Sequence, residues 1–186
     1  MFVLKNGDLL FFRKDSNQLS KAIVNSTSHN KAIQYDHVAI IIYNGKIPYV
    51  YEACPKYGVR KTSFINFTKD INSNIDLYRL KTTFNTQKLY KEAESYLGLP
   101  YNHSFSPDEP GFYCADFIYE SFEHRFFHLI PMQFGPNHTI DNYWKKYYRK
   151  IGKKIPLNKP GLNPNDMIKQ GSLNLIKANF MIEKVD

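Results

Sequence analysis

Two segments far apart in the chain carry residue types that together can perform acyl-transfer chemistry. One is Tyr113-Cys114-Ala115-Asp116-Phe117, preceded by Gly98-Leu99-Pro100-Tyr101-Asn102. Pro100, Pro107, Pro110 and Gly111 keep the run before Cys114 out of regular structure. From Cys114 onward, Phe117, Ile118, Ser121 and Phe122 recur at helical spacing. Cys114 is therefore expected in the first turn of a helix, among N–H groups without helical acceptors and at the positive end of the dipole. Such a place favours thiolate, the nucleophilic form of cysteine. Taken alone, the pattern is better read as a small buried thiol that only packs a helix, and partners elsewhere in the chain are what tilt it toward chemistry.

The second segment supplies partners for that thiol. Asp36-His37-Val38-Ala39-Ile40-Ile41-Ile42-Tyr43 is followed by Asn44-Gly45 and then Tyr49-Val50-Tyr51-Glu52-Ala53. Asn-Gly between apolar, β-branched runs is a strong hairpin signal. Counting back from the turn along both arms places His37 and Glu52 roughly level on adjacent strands. A carboxylate there can fix the imidazole tautomer and stabilise its charged form.

The elements that must position these groups read as follows. Residues 7 to 13 form a strand, opened by the turn Gly7-Asp8, and 17 to 27 an amphipathic helix with Leu19, Ile23 and Val24 toward the core. Residues 37 to 43 and 48 to 54 make the hairpin, and Ile75 to Leu80 a further strand with imperfect alternation. A helix from Thr86 to Leu97 is capped by Thr86 and ended by Gly98 and Pro100. Residues 114 to 124 form the cysteine helix and 140 to 150 another. No linker, repeat or low-complexity run divides residues 1–186, so one domain is expected.

Composition agrees. The chain has 186 residues, of which 42% are hydrophobic, enough to bury a sizeable core. Aromatic residues reach 16%, which suits a β-rich core and can also line an apolar groove. No run approaches the length of a membrane span, and no apolar leader precedes the first strand, so the chain as it stands reads as unexported. Cys54 is left over beside Cys114, and a reducing compartment would suit both thiols.

These blocks resemble the NlpC/P60 superfamily of papain-like cysteine peptidases and amidases. There a P-Y-x-x-G segment and D-C-S-G-L come first, then G-D-L-V-F-F, then H-V-G-I-Y with a short N-G turn and an I-H-A strand. Here Gly7-Asp8-Leu9-Leu10-Phe11-Phe12 and the histidine hairpin come first, and the cysteine half second. That order resembles the circularly permuted branch, the YiiX-like or YebB-like group, as does the ending Pro160-Gly161-Leu162-Asn163-Pro164-Asn165-Asp166. Residues 60 to 95 and 125 to 155 match only in general character. The resemblance implies an α+β fold: a circularly permuted papain-like NlpC/P60 domain with an antiparallel sheet packed against helices.

Carried over residue by residue, the resemblance puts Cys114 on the nucleophile position and His37 on the general base. Glu52 falls on the third polar position, and Tyr101 on the tyrosine beside the oxyanion site. Ala115-Asp116 replaces the usual Ser-Gly or Ser-Glu after the cysteine, and Asn102-His103 follows the tyrosine without a glycine; both departures are expected next to the nucleophile. The implied reaction is hydrolysis of an amide in a peptide, a cell-wall fragment or an acylated small molecule, through a thioester and without a cofactor. Family members are often envelope-directed. The alternatives are a lipid-directed acyltransferase or thioesterase, as in the related lecithin:retinol acyltransferase-like proteins, and an inactive binding module for anionic polymers. Tyr113-Cys114-Ala115-Asp116-Phe117 only partly echoes the N-C-E-H-F motif of those relatives.

Other constellations carry less. His124 and His128, four apart, could face one way on a helix as a metal pair, but no further ligands complete a site. Lys145, Lys146, Arg149, Lys150, Lys153 and Lys154, interleaved with Trp144, Tyr147 and Tyr148, form the basic focus of a chain with net charge +8. Such a stretch can meet an anionic polymer or membrane. The plainer reading is a solvated helix face with its aromatics turned inward. No nucleic-acid motif accompanies it, and nucleic acid is not the expected partner.

Overall fold

The turn that folds two long apolar strands onto each other is Gly45-Lys46, one residue later than expected, since Asn44 still pairs with Ile47; the sheet grows outward from that hairpin. The protein is described from a computed structural model, covering residues 3–28, 34–69, 71 and 74–180. In chain order the first elements are β1 (Leu9–Arg13), α1 (Gln18–Thr27), β2 (Tyr35–Asn44), β3 (Ile47–Cys54), β4 (Gly58–Ser63), α2 (Phe64–Lys69) and β5 (Ile75–Leu80). They are followed by α3 (Thr86–Ser95), α4 (Cys114–Ser121), β6 (Ile130–Pro131), α5 (Asn142–Ile151), β7 (Pro160–Gly161), α6 (Pro164–Lys169) and β8 (Leu173–Lys177). The main sheet runs β4-β3-β2-β1-β5-β8. Every neighbouring pair in it is antiparallel.

Both faces of the central strands are covered, which is why β1 and most of β2 read as near-continuous apolar runs instead of alternating ones. On one face Leu9, Phe11, Val38, Ile40, Ile42, Tyr51 and Ala53 meet Leu89 and Ala93 of α3 and Phe117 and Ile118 of α4. On the other, Leu10, Ala39, Ile41, Val50, Ile75 and Leu77 lie under Phe67 of α2. A satellite cluster joins Ala22 of α1 to Phe134 and to Trp144 and Tyr148 of α5.

Some expected boundaries move for local reasons. The cap of α3 is Asn85, not Thr86; its side chain accepts from the Gln87 and Lys88 N–H groups, both at 3.0 Å. Helix α4 stops at Ser121, not 124, because Glu123 and His124 take left-handed φ of 52° and 64°. On α1 it is Ser20, Ala22 and Val24 that are buried, while Leu19 and Ile23 are only half-buried. The strands β4 and β8 and the helices α2 and α6 were not anticipated. Charged β4 lies at one edge of the sheet, where a strand can stay polar.

Candidate active site

Cys114 is the first residue of α4. The preceding Tyr113 has extended backbone (φ −93°, ψ 173°) and caps the helix without a side-chain bond. The loop before it is held by close backbone contacts. Phe112 N–H donates to the Pro100 carbonyl and Asn102 N–H to that of Phe112, both at 3.1 Å. A Cβ on Gly111 would stand 2.1 Å from the Pro100 oxygen, and its φ is +84°, so the approach requires glycine. On the other side, Val59 N–H donates to the Leu99 carbonyl and Gly98 N–H to that of Val59, each at 2.9 Å. Gly98 to Asn102 is thereby clamped between β4 and the residues that lead into Cys114. The thiol itself is buried, only 6% exposed.

His37 enters from β2 at a break in the ladder. Phe12 pairs with His37 but Arg13 pairs with Tyr35, so Asp36 is an extra residue in β2. Such a bulge bends the strand and re-aims its side chains. The imidazole leans on the Phe12 ring (centroids 5.0 Å apart) and lies within hydrogen-bonding reach of the Cys114 thiol. Its Nε2 is 2.7 Å from Oε2 of Glu52. Glu52 stands on β3, nearly buried, and its other oxygen, Oε1, accepts from Arg60 Nε (2.9 Å) and Nη2 (2.6 Å). With Nε2 given to Glu52, the ring nitrogen left for the thiol is Nδ1.

Burial by itself pushes the His37 imidazole toward its neutral form. The hydrogen bonds to Cys114 and Glu52 outweigh it and lift the His37 pKa well above its ordinary 6.5. Glu52 shows the converse: burial favours protonation, but His37 and then Arg60 hold the carboxyl below its ordinary 4.5. Glu52 is thus an ionised acceptor and His37 Nε2 a donor. This arrangement can hold a proton on the imidazole and take one from the thiol.

Tyr101 faces the same space. Burial, followed by the nearby Cys114, pushes its phenol well above the usual range, so it stays an O–H donor. The structure therefore brings Cys114, His37, Glu52 and Tyr101 to one place. The space around them divides in two. Beside Cys114 lies an apolar recess lined by Phe105, Tyr113, Phe134, Trp144 and Leu162. Beside His37 lies a more polar one with Asp15, Asp36, Glu52 and Cys54. Ile23, Asp36 and Tyr101 border both, which accounts for Ile23 staying half-buried although it packs against the satellite cluster.

This order of strands and site matches a known family. Residues 3–177 match the family described as permuted papain-like amidase enzyme, YaeF/YiiX, C92. The chain belongs to the permuted papain-like amidases. It is 25% identical over 185 residues to the uncharacterized protein YiiX of Escherichia coli strain K12, covering 95% of this chain and 87% of that protein. It is also similar in fold to the crystal structure of YiiX from Escherichia coli O157:H7, described as a metalloprotein. That match has a TM-score of 0.75 and 24% identity, and covers 94% of this chain and 97% of the other.

Within this member of the family the other candidates fall elsewhere. Asp116 does not reach the cleft; it lines a separate recess with Asn102, Tyr119 and Glu120. There burial, and then Glu120, raise its carboxyl to about 7. Asn102 is buried in its own loop, accepting from Ser104 N–H (3.1 Å) and donating to the Ser106 carbonyl (2.8 Å). His124 and His128 share no helix: His124 bonds Glu120 at 2.9 Å and stacks on Tyr119, and the His128 backbone bonds Gln170. Among the described residues no group of three or more His, Cys, Asp or Glu is disposed to hold a metal ion. At the cleft, His37 and Arg60 already take both Glu52 oxygens, so the residues present do not fit a metal site. No helix among the described residues is long and apolar enough to cross a membrane.

On α5, Trp144 and Tyr148 are buried while Lys145, Lys146, Arg149 and Lys150 are exposed. The hydroxyls of Tyr147 and Tyr148 donate to the His103 and Ser104 carbonyls at 2.8 and 2.7 Å. The aromatics thus brace the loop behind Tyr101. Two supports escaped sequence reasoning altogether, Arg60 and Asn165. Arg60 had a usable signal: in a hairpin closed at Cys54 and Gly58 it falls opposite Glu52.

Proposed function

We propose that this amidase hydrolyses an amide whose acyl portion is apolar, through a thioester on Cys114. The observation that carries the reading is the chain Cys114–His37–Glu52 at the start of a helix. His37 Nδ1 takes the thiol proton as the Cys114 sulfur attacks the carbonyl carbon. The Cys114 backbone N–H and the Tyr101 hydroxyl stabilise the oxyanion in this reading. As the C–N bond breaks, the imidazolium returns its proton to the departing amine. His37 then deprotonates a water that attacks the thioester; the acid leaves and the thiol is restored. The aromatic recess beside Cys114 supports an apolar acyl group, and the polar recess beside His37 suits the amine.

The test is intact-mass spectrometry of the protein mixed with a panel of N-acyl anilides and amines. The expected result is a transient adduct of acyl mass, mapped to Cys114, discharged by hydroxylamine and absent in Cys114→Ala and His37→Ala. Steady turnover by Cys114→Ala would overturn the reading.

A further inference from the structure

The turn from Cys54 to Gly58 sets β4 against β3 in a register that pairs Arg60 directly with Glu52. The guanidinium gives two donors to one oxygen, Nε at 2.9 Å and Nη2 at 2.6 Å from Oε1. The other oxygen, Oε2, is left to His37 at 2.7 Å. Arg60 is held in turn by the Tyr57 ring, whose centroid lies 4.5 Å from the guanidinium carbon. Glu52 is 5% exposed, so its charge needs a compensating partner.

We propose that Arg60 is a positioning residue of this site. By occupying Oε1 it keeps Glu52 an acceptor only, and so fixes the His37 tautomer that presents a bare Nδ1 to Cys114. The inference rests on the amidase reading given above. Its logic is a matter of protons. A buried carboxyl without Arg60 gains a proton more readily, and a protonated Glu52 donates to Nε2 instead of accepting from it. The imidazole hydrogen then sits on Nδ1, facing the sulfur, where it cannot take the thiol proton.

The groups that face this pair come from every neighbouring element. They are His37 of β2, Cys54 of β3, Lys56 and Tyr57 of the turn, Asp15 and Asp36 at the mouth of the recess, and Tyr101 and Cys114 across it. Lys56 is turned to the Tyr57 ring, with Nζ 4.8 Å from its centroid. Besides His37, Arg60 is the cation bonded to Glu52 among the described residues.

The readout is the pH profile of Cys114 alkylation by iodoacetamide, which needs no substrate. In Arg60→Gln the acid limb should move up by about one pH unit, making alkylation about tenfold slower at a pH on that limb. Arg60→Lys, which keeps a charge but loses the fork, should recover part of the shift. The double variant Arg60→Gln/Glu52→Gln leaves no unpaired buried charge and carries the test if Arg60→Gln alone does not fold. Its limb should coincide with that of Glu52→Gln. An acid limb unmoved in folded Arg60→Gln, or a further shift in the double variant, would overturn the role. Wild-type Cys114 reacting no faster than Cys54 would instead bring down the amidase reading, and this role with it.

Discussion

The Asn165 carboxamide closes on both backbone groups of Tyr35. Its Oδ1 accepts from the Tyr35 N–H and its Nδ2 donates to the Tyr35 carbonyl, both at 2.9 Å. Nδ2 also donates to Thr27 Oγ1 at 2.8 Å. One buried side chain thereby ties α6 and α1 to the head of β2, two residues before His37. Asn165→Ala should leave two buried backbone groups without partners and cost about 2–3 kcal/mol. The midpoint of urea unfolding measures that cost. Alkylation of Cys114 should slow in the same variant, since the bulge that aims His37 loses its anchor.

That anchor also marks how far the sequence could be read. The hairpin and the cysteine helix were legible because their signals are local: Asn-Gly between apolar runs, and helical spacing after Cys114. The count that set His37 level with Glu52 is off by two, because the turn is Gly45-Lys46 and Ile40 pairs with Tyr51; the two side chains meet on a diagonal instead. Asn165 and Arg60 act across chain distances or along an edge strand, and neither leaves a periodic trace. The register break at Asp36 was invisible for a related reason. A bulge changes which strand residue opposes which, and an apolar run such as Val38 to Ile42 reads alike with or without it. Leu19 and Ile23 pack against the satellite cluster as their spacing indicates, yet stay half-buried because α1 also borders the cleft.

The His37–Glu52 pair should leave a defined mark on stability against pH. His37 has its pKa raised in the folded state, so its contribution is fully present below its ordinary 6.5 and is lost as pH rises through the raised value. Glu52 has its pKa lowered, so its contribution is present above its ordinary 4.5 and is lost as pH falls through the lowered value. Both are present together between 4.5 and 6.5. Denaturation curves of the wild type and His37→Gln should differ most in that window and converge on either side. A difference independent of pH would contradict the linkage.

Asp116 predicts the opposite behaviour. Burial, then Glu120, hold its carboxyl near 7 against an ordinary 3.8, so ionising it costs the folded state. Asp116→Asn should therefore gain stability over the wild type as pH rises from about 4 to about 7, and then keep a constant advantage. Because Asp116 lines a recess separate from the cleft, the variant should alkylate at Cys114 as the wild type does. Slowed alkylation in a folded Asp116→Asn protein would place that carboxyl in the site after all.

The last prediction separates hydrolysis at Cys114 from binding through the basic face of α5. For any amide found to turn over, Cys114→Ala should abolish turnover while leaving the fold and substrate affinity in place. Glu52→Gln keeps the nucleophile but removes the acceptor that fixes the His37 tautomer, and should lower kcat by about 10²-fold or more, with KM little changed. Lys145, Lys146 and Arg149 are exposed on the face of α5 opposite buried Trp144 and Tyr148. Reversing those charges should change turnover of a small neutral amide by less than about twofold, because exposed charges are screened by salt and act weakly on a neutral substrate. If the basic face carries the function, the pattern inverts. Charge reversal would then abolish a salt-sensitive affinity for acidic polymers, and Cys114→Ala would change nothing. The expected outcome is the first pattern, because the Cys114 thiol has a histidine within reach whose tautomer is set by an ionised Glu52.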